Sequence, residues 1–224
     1  MARAGPSNQS VQDRVSVIDE IAKRLRENML AGIAYDAMLR RIHDHADVIP
    51  TFNNRVEGHG FGLIQHGFIQ LYMLSLTRCY DRSSENRASL PHAVNLLRDQ
   101  EVFEAITSRA RAWLPELADE NERTAQEKAR AAVTGYDRLT GDNVFMIALT
   151  ALRQHRDGYL AHSLFRMGDL EPLLFGYLTD VLRGTLPIIA ALDFVGRGVN
   201  WDPGDSIRVW DQNADEFWRR TLSP

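Results

Sequence analysis

A helical rhythm of apolar residues constrains this chain more than any other feature. It is clearest in residues 142–163, DNVFMIALTALRQHRDGYLAHS, where Phe145, Leu149, Leu152, Tyr159 and Leu160 recur at roughly three- and four-residue intervals. Asp142 or Asn143 suits the position before such a helix, because a short polar side chain accepts from the first free backbone amides. The same rhythm runs through Val15, Ile18, Ile21, Leu25, Met29 and Leu30. Strand alternation, hairpin signals and internal repeats are absent from the sequence, so the expected fold is all-α. We expect a polar tail over residues 1–8 and a single helical-bundle domain over residues 9–224.

Punctuation subdivides the rhythm. A first helix is expected over about residues 9–30, with a bend at Gly32 and a second helix from Ala34 to Ile49, ended by Pro50. The run after Leu63 is apolar almost all round and predicts a central helix reaching Arg78. Pro91 fits a helix start, since proline lacks only an amide that the first turn leaves unpaired. A break at Pro115 should precede a long polar helix from about Glu116 to Leu139. Beyond His162, an apolar helix carries Gly184 and Pro187 as candidate kinks, and a last helix offers Val209, Trp210, Phe217 and Trp218 for docking.

Composition narrows the chemistry. The 224 residues are 44% hydrophobic and 25% charged, which places the chain among ordinary globular proteins. No window approaches 18 consecutive apolar residues and MARAGPSNQS lacks an apolar signal region, so the expectation is a cytoplasmic protein without membrane contact. The lone cysteine, Cys79, excludes an internal disulfide and any multi-thiolate zinc site, and its apolar neighbours predict burial. Lys23 and Lys128 are the only lysines, and both stand in charged helical contexts unsuited to Schiff-base or phosphate-loop chemistry. Gly58, Gly60 and Gly62 do not match a dinucleotide fingerprint. His43 and His45, two apart, fall on different helix faces, and His59 with His66 reads as hydrogen-bonded histidine before it reads as a metal pair. No metal or cofactor is expected.

Chemically capable side chains gather in the second half of residues 142–163: His155, Arg156, Asp157 and His162. On a regular helix Arg156 and His162 are separated by about 600° of rotation and roughly 9 Å of rise. Their cooperation therefore needs a bent arginine, a distorted helix end, or a second protomer bringing its own copy alongside across a two-fold axis. Such a cleft suits phosphodiester cleavage, with histidine moving a proton and arginine holding charge on a phosphorane-like transition state. The plainer alternative keeps Arg156 in a helix-end ion pair with Asp157 and His162 as a cap favoured by the helix dipole. A second polar cluster, Arg78, Asp81 and Arg82, ends the preceding apolar helix, and its plain alternative is a capped loop with surface ion pairs.

The segment LRQHRDGYLAHS resembles the R-x(4 to 6)-H signature of the HEPN superfamily, with Arg156, the polar Asp157 after it, and His162. The stretch SLTRCYDRSSENRASL is similar to the pattern in the U-type branch of abortive-phage-infection HEPN-like proteins, so that the resemblance covers about residues 70–165. It implies a HEPN-like helical bundle with additional flanking helices, homodimerisation through the motif helices, and metal-independent RNA cleavage by the arginine and histidine. Asp157 would orient Arg156, while Arg78, Asp81, Arg82 and His155 would grip substrate. Two departures stand out: Gly158 replaces a longer polar residue common in similar motifs, and Leu164 replaces the tyrosine of toxins regulated by a nucleotidyltransferase partner. The resulting expectation is an endoribonuclease of a phage-defence or toxin–antitoxin system, with RNA as substrate and an antitoxin or defence-system protein as partner. The alternative is a non-catalytic HEPN-like nucleotide- or RNA-binding scaffold.

Overall fold

A computed structural model of the chain describes residues 10–44, 48–53, 56–84, 87–161 and 173–222, with backbone alone for 159–161. Its helices are α1 (Val11–Asp44), α2 (Val48–Asn53), α3 (Gly58–Arg78), α4 (Leu90–Leu97), α5 (Gln100–Ser108), α6 (Ala118–Gly141), α7 (Asn143–His155), α8 (Phe175–Arg197) and α9 (Pro203–Leu222). Short 3-10 turns at Arg109–Ala112 and Pro115–Leu117 join α5 to α6, and a π-helical segment, Arg156–Ala161, continues α7. Among the described residues there is no strand, and the fold is all-α. None of the described helices is long and apolar enough to cross a membrane.

Two expected breaks did not form, for identifiable reasons. Gly32 lies inside α1, which runs unbroken for 34 residues. A Cβ there would stand 3.4 Å from Leu182 and 3.6 Å from Tyr72, ordinary van der Waals contact, and a single interior glycine costs a helix only about 1 kcal/mol, which the packing of α1 outweighs. Pro50 is the third residue of α2, inside the first turn where no helical partner for its missing amide is needed. Pro91 and Pro115 stand near the starts of α4 and of a 3-10 turn, as expected. Pro187 is accommodated within α8.

The described residues cluster into two compact units, with boundaries inside α1, α6 and α8 and in the segments after α3 and before α9. The first unit comprises residues up to Arg26, Asp81–Asp137 and Ile188–Trp201. Its core takes Ile18 and Leu25 from α1, Leu90 and Val94 from α4, Val102 and Ile106 from α5, Ala125 and Ala129 from α6, and Leu192 and Val195 from α8. Arg109 braces this unit: it grips both carboxylate oxygens of Asp19, at 2.6 and 2.8 Å, and donates to the Gly196 carbonyl in the last turn of α8. A cation at a helix C-terminus also meets the negative end of the helix dipole.

The second unit comprises Glu27–Tyr80, Arg138–Pro187 and the residues from Asp202 onward. Its core takes Met29 and Ile33 from α1, Tyr72 and Leu76 from α3, Leu149 and Leu152 from α7, Val181 and Leu182 from α8, and Trp218 from α9. Asp36 is buried here with its hydrogen-bonding capacity met by Tyr72 Oη at 2.9 Å, Thr179 Oγ1 at 3.0 Å and Arg40 Nε at 2.8 Å. Burial first, and then the charge of Asp36, push the Tyr72 phenol well above the usual tyrosine range. Cys79 is buried as expected and donates to the Ser75 carbonyl.

Hydrophobicity alone misplaces the core along α3. Burial is concentrated in its C-terminal half, whereas Leu63, Ile64 and Leu71 are exposed. At the other end Phe61 stacks on Phe52 at 4.4 Å, and both meet the edge of Trp218. Of the four aromatic or apolar residues expected to dock α9, Trp218 is buried and donates to the Met38 carbonyl, while Val209, Trp210 and Phe217 stay exposed.

Candidate functional site

The site is built from the start of α7. The Asp142 carboxylate accepts from the Phe145 amide at 2.9 Å, fixing where the helix begins. From that start, Phe145, Ala148, Leu149, Ala151 and Leu152 fall on one buried face. That face packs against α3, and α3 also meets the π-helical segment that follows. The end of α3 is pinned twice. Arg153 donates to the Tyr80 carbonyl, and the Tyr80 ring leans on Phe145 at 5.6 Å while its hydroxyl pairs with Thr185 at 2.7 Å.

At Arg156 the helix changes character, and Arg156–Ala161 form a π-helical turn. Closing i→i+5 rather than i→i+4 widens the backbone and shifts the register of the residues it carries. The helix end is thus distorted, one of the three arrangements the Arg156–His162 spacing allowed. Gly158 is buried within this segment.

Arg156 is half-buried, and its Nε donates to Asp157 Oδ1 at 2.7 Å, with Asp157 itself exposed. This contact fixes one edge of the guanidinium, and a guanidinium carries further donors suited to phosphate oxygens. His155, half-buried, closes α7 immediately before it. Arg78 is the exposed last residue of α3, in the same unit. Asp81, half-buried, and Arg82, exposed, begin the loop that belongs to the first unit. His162 and Leu164 lie outside the described residues, as do the side chains of Tyr159 and Leu160.

A subunit contact along α7 cannot use its periodic apolar residues Phe145 and Leu152, which are 5% and 0% exposed and belong to the chain's own core. The exposed apolar residues of α7 are Val144 and Ile147 instead. Arg153, which the sequence reading did not single out, ties α7 to the end of α3; its one signal was its place a helical turn before Arg156. Elsewhere His59 is exposed, His66 pairs with Gln70 at 2.7 Å, and His43 lies against Phe175. Among the described residues no three metal-ligating side chains converge.

Comparison with protein families adds the decisive observation: the HEPN family model described as AbiU2 matches residues 17–175. The chain belongs to the AbiU2 family of HEPN domains. The match takes in the Arg78, Asp81, Arg82 cluster and the whole Arg156 to His162 motif, and ends at the first residue of α8. The rest of α8 and all of α9 flank the matched AbiU2 region. Comparison with curated proteins and with solved structures returned no match.

Proposed function

We propose that this AbiU2-type HEPN protein is a cytoplasmic, metal-independent endoribonuclease of a phage-defence or toxin–antitoxin system. The supporting observation is the π-helical turn that starts at Arg156, with the guanidinium oriented by Asp157 in a motif within the family match. A π-turn often marks a functional site, because it sacrifices regular hydrogen bonding for a changed side-chain register. In the reaction, a ribose 2′-oxygen attacks the adjacent phosphorus while His162 removes its proton. The bond to the 5′-oxygen breaks, that oxygen takes a proton from water, and a 2′,3′-cyclic phosphate remains. Arg156 holds the charge on the nonbridging oxygens, Asp157 positions Arg156, and Arg78 and His155, of the same unit, shape the substrate grip.

The test is incubation of purified protein with structured and single-stranded RNA in chelator. Wild type is expected to cleave, and Arg156→Ala to lose about 10²–10³ in rate, the scale of removing one donor from a transition-state oxyanion. Undiminished cleavage by the Arg156→Ala, His162→Ala double variant would remove these residues from catalysis. Absence of wild-type cleavage under broad conditions would favour the second reading, a binding or scaffold module. The observation favouring that reading is the Arg156–Asp157 pair itself, which also satisfies a simple helix end.

A further inference from the structure

The first unit holds a surface cleft of about 350 Å³ lined by Leu97, Arg98, Gln100, Phe103, Arg130 and Thr134, together with Val133. We propose that this cleft binds a nucleotide, with the base stacked on Arg130 and the phosphate held by Arg98. Arg130, Val133 and Thr134 share one face of α6, being three and four residues apart. The Arg130 guanidinium lies over the Phe103 ring, 5.5 Å from its centroid, and among the described residues it has no carboxylate partner. The aromatic ring supports one side of the planar cation. Because Arg130 is exposed, the other side is open to a second flat group. A base fits that platform, since guanidinium planes and aromatic rings are the surfaces on which unpaired bases stack.

The walls supply the remaining chemistry. Arg98 is oriented by Asp137 and by Asn95 Oδ1 at 3.3 Å, and its fork has further donors for phosphate oxygens. Gln100 donates its amide to Glu104, leaving its carbonyl oxygen as an acceptor for a base edge or sugar hydroxyl. Leu97 and Val133 provide an apolar floor. The volume lies at the lower end of ligand-pocket sizes, on the order of 300–1,000 Å³, and so suits one nucleotide at a time. This reading is independent of cleavage at Arg156.

Binding is read by fluorescence anisotropy with a 3′-fluorescein, 2′-O-methyl uridine octamer in chelator and low salt, a strand that no 2′-hydroxyl chemistry can cut. Wild type is expected to bind, and both Arg130→Ala and Arg130→Lys to weaken binding roughly tenfold or more, the scale of losing one stacked base. Lysine keeps the charge but lacks the plane, so its failure to rescue separates stacking from simple attraction. Competition by UMP or AMP would assign the cleft to free nucleotides, and resistance to both would assign it to a strand. Variants that bind like wild type while melting at the same temperature would overturn the proposal, as would wild type binding neither the octamer nor the mononucleotides.

Discussion

Asp193 has no solvent exposure, although it is a carboxylate, and it faces Arg26 at 3.4 Å and Arg197 at 3.3 Å. Its Oδ1 has no hydrogen bond, so the arginines compensate its burial only in part. Desolvation, the largest influence, therefore raises its pKa above the ordinary value of 3.8, against the opposing charges of Arg197 and Arg26. Because the folded value is the raised one, the native state holds this proton more tightly than the unfolded chain does. The stability it contributes is fullest below the ordinary carboxylate value and is lost as pH rises through the folded value. Asp193→Asn mimics the protonated group and does not titrate. The stability of wild type relative to Asp193→Asn is accordingly expected to fall as pH rises from the ordinary carboxylate range through the raised one. Urea denaturation of both proteins at closely spaced pH values measures this, and parallel stability curves would contradict it.

Helices α3 and α8 each contain an interior glycine whose replacement should have opposite effects. At Gly67 an added Cβ meets nothing within 4 Å, so Gly67→Ala is expected to stabilise by about 1 kcal/mol through helix propensity. At Gly184 the same atom would lie 2.8 Å from Leu139 Cδ1 and 3.5 Å from the Phe145 ring. Overpacking of about 1–3 kcal/mol should exceed the propensity gain there, giving a net loss of roughly 1 kcal/mol in urea melts. Gly184→Ala proving the more stable variant would refute this packing account. The contrast also marks what the sequence could convey. Asp142 and Pro91 announced helix starts because capping and the missing proline amide act locally. The continuity of α1 through Gly32 was not announced, because one glycine costs a helix only about 1 kcal/mol and tertiary packing, which is remote in sequence, decides whether the helix continues. The exposure of Leu63 and Ile64 likewise depended on where partner helices end, which no apolar run encodes. At the site, the adjacency of Arg156 and Asp157 made their pairing readable. The π-turn was not readable, because closing i→i+5 once leaves no periodic trace.

The whole molecule presents α7 with an outward face that changes along its length. Val144 and Ile147, 69% and 57% exposed, begin it, and the exposed Thr150, Gln154 and Asp157 continue it toward Arg156. We propose that two copies meet along this face around a two-fold axis. Each would cover the other's apolar end and bring the two polar ends into one cleft, because a two-fold contact applies the same patch to both partners. Ile147→Asp is the discriminating variant: the side chain is exposed in the single chain, so the change should preserve folding, yet it would place a charge within the shared apolar contact. Analytical ultracentrifugation at micromolar concentration is expected to show a wild-type dimer and an Ile147→Asp monomer with the same helical circular dichroism. If Arg156 of one copy serves His162 of the other, mixing Arg156→Ala with His162→Ala protomers should restore part of the cleavage that each lacks alone. Adding Ile147→Asp to both should abolish that restoration. A monomeric wild type with full activity would defeat the two-copy site. A dimer that survives Ile147→Asp would place the interface on other helices, leaving Arg156 and His162 to act within one chain.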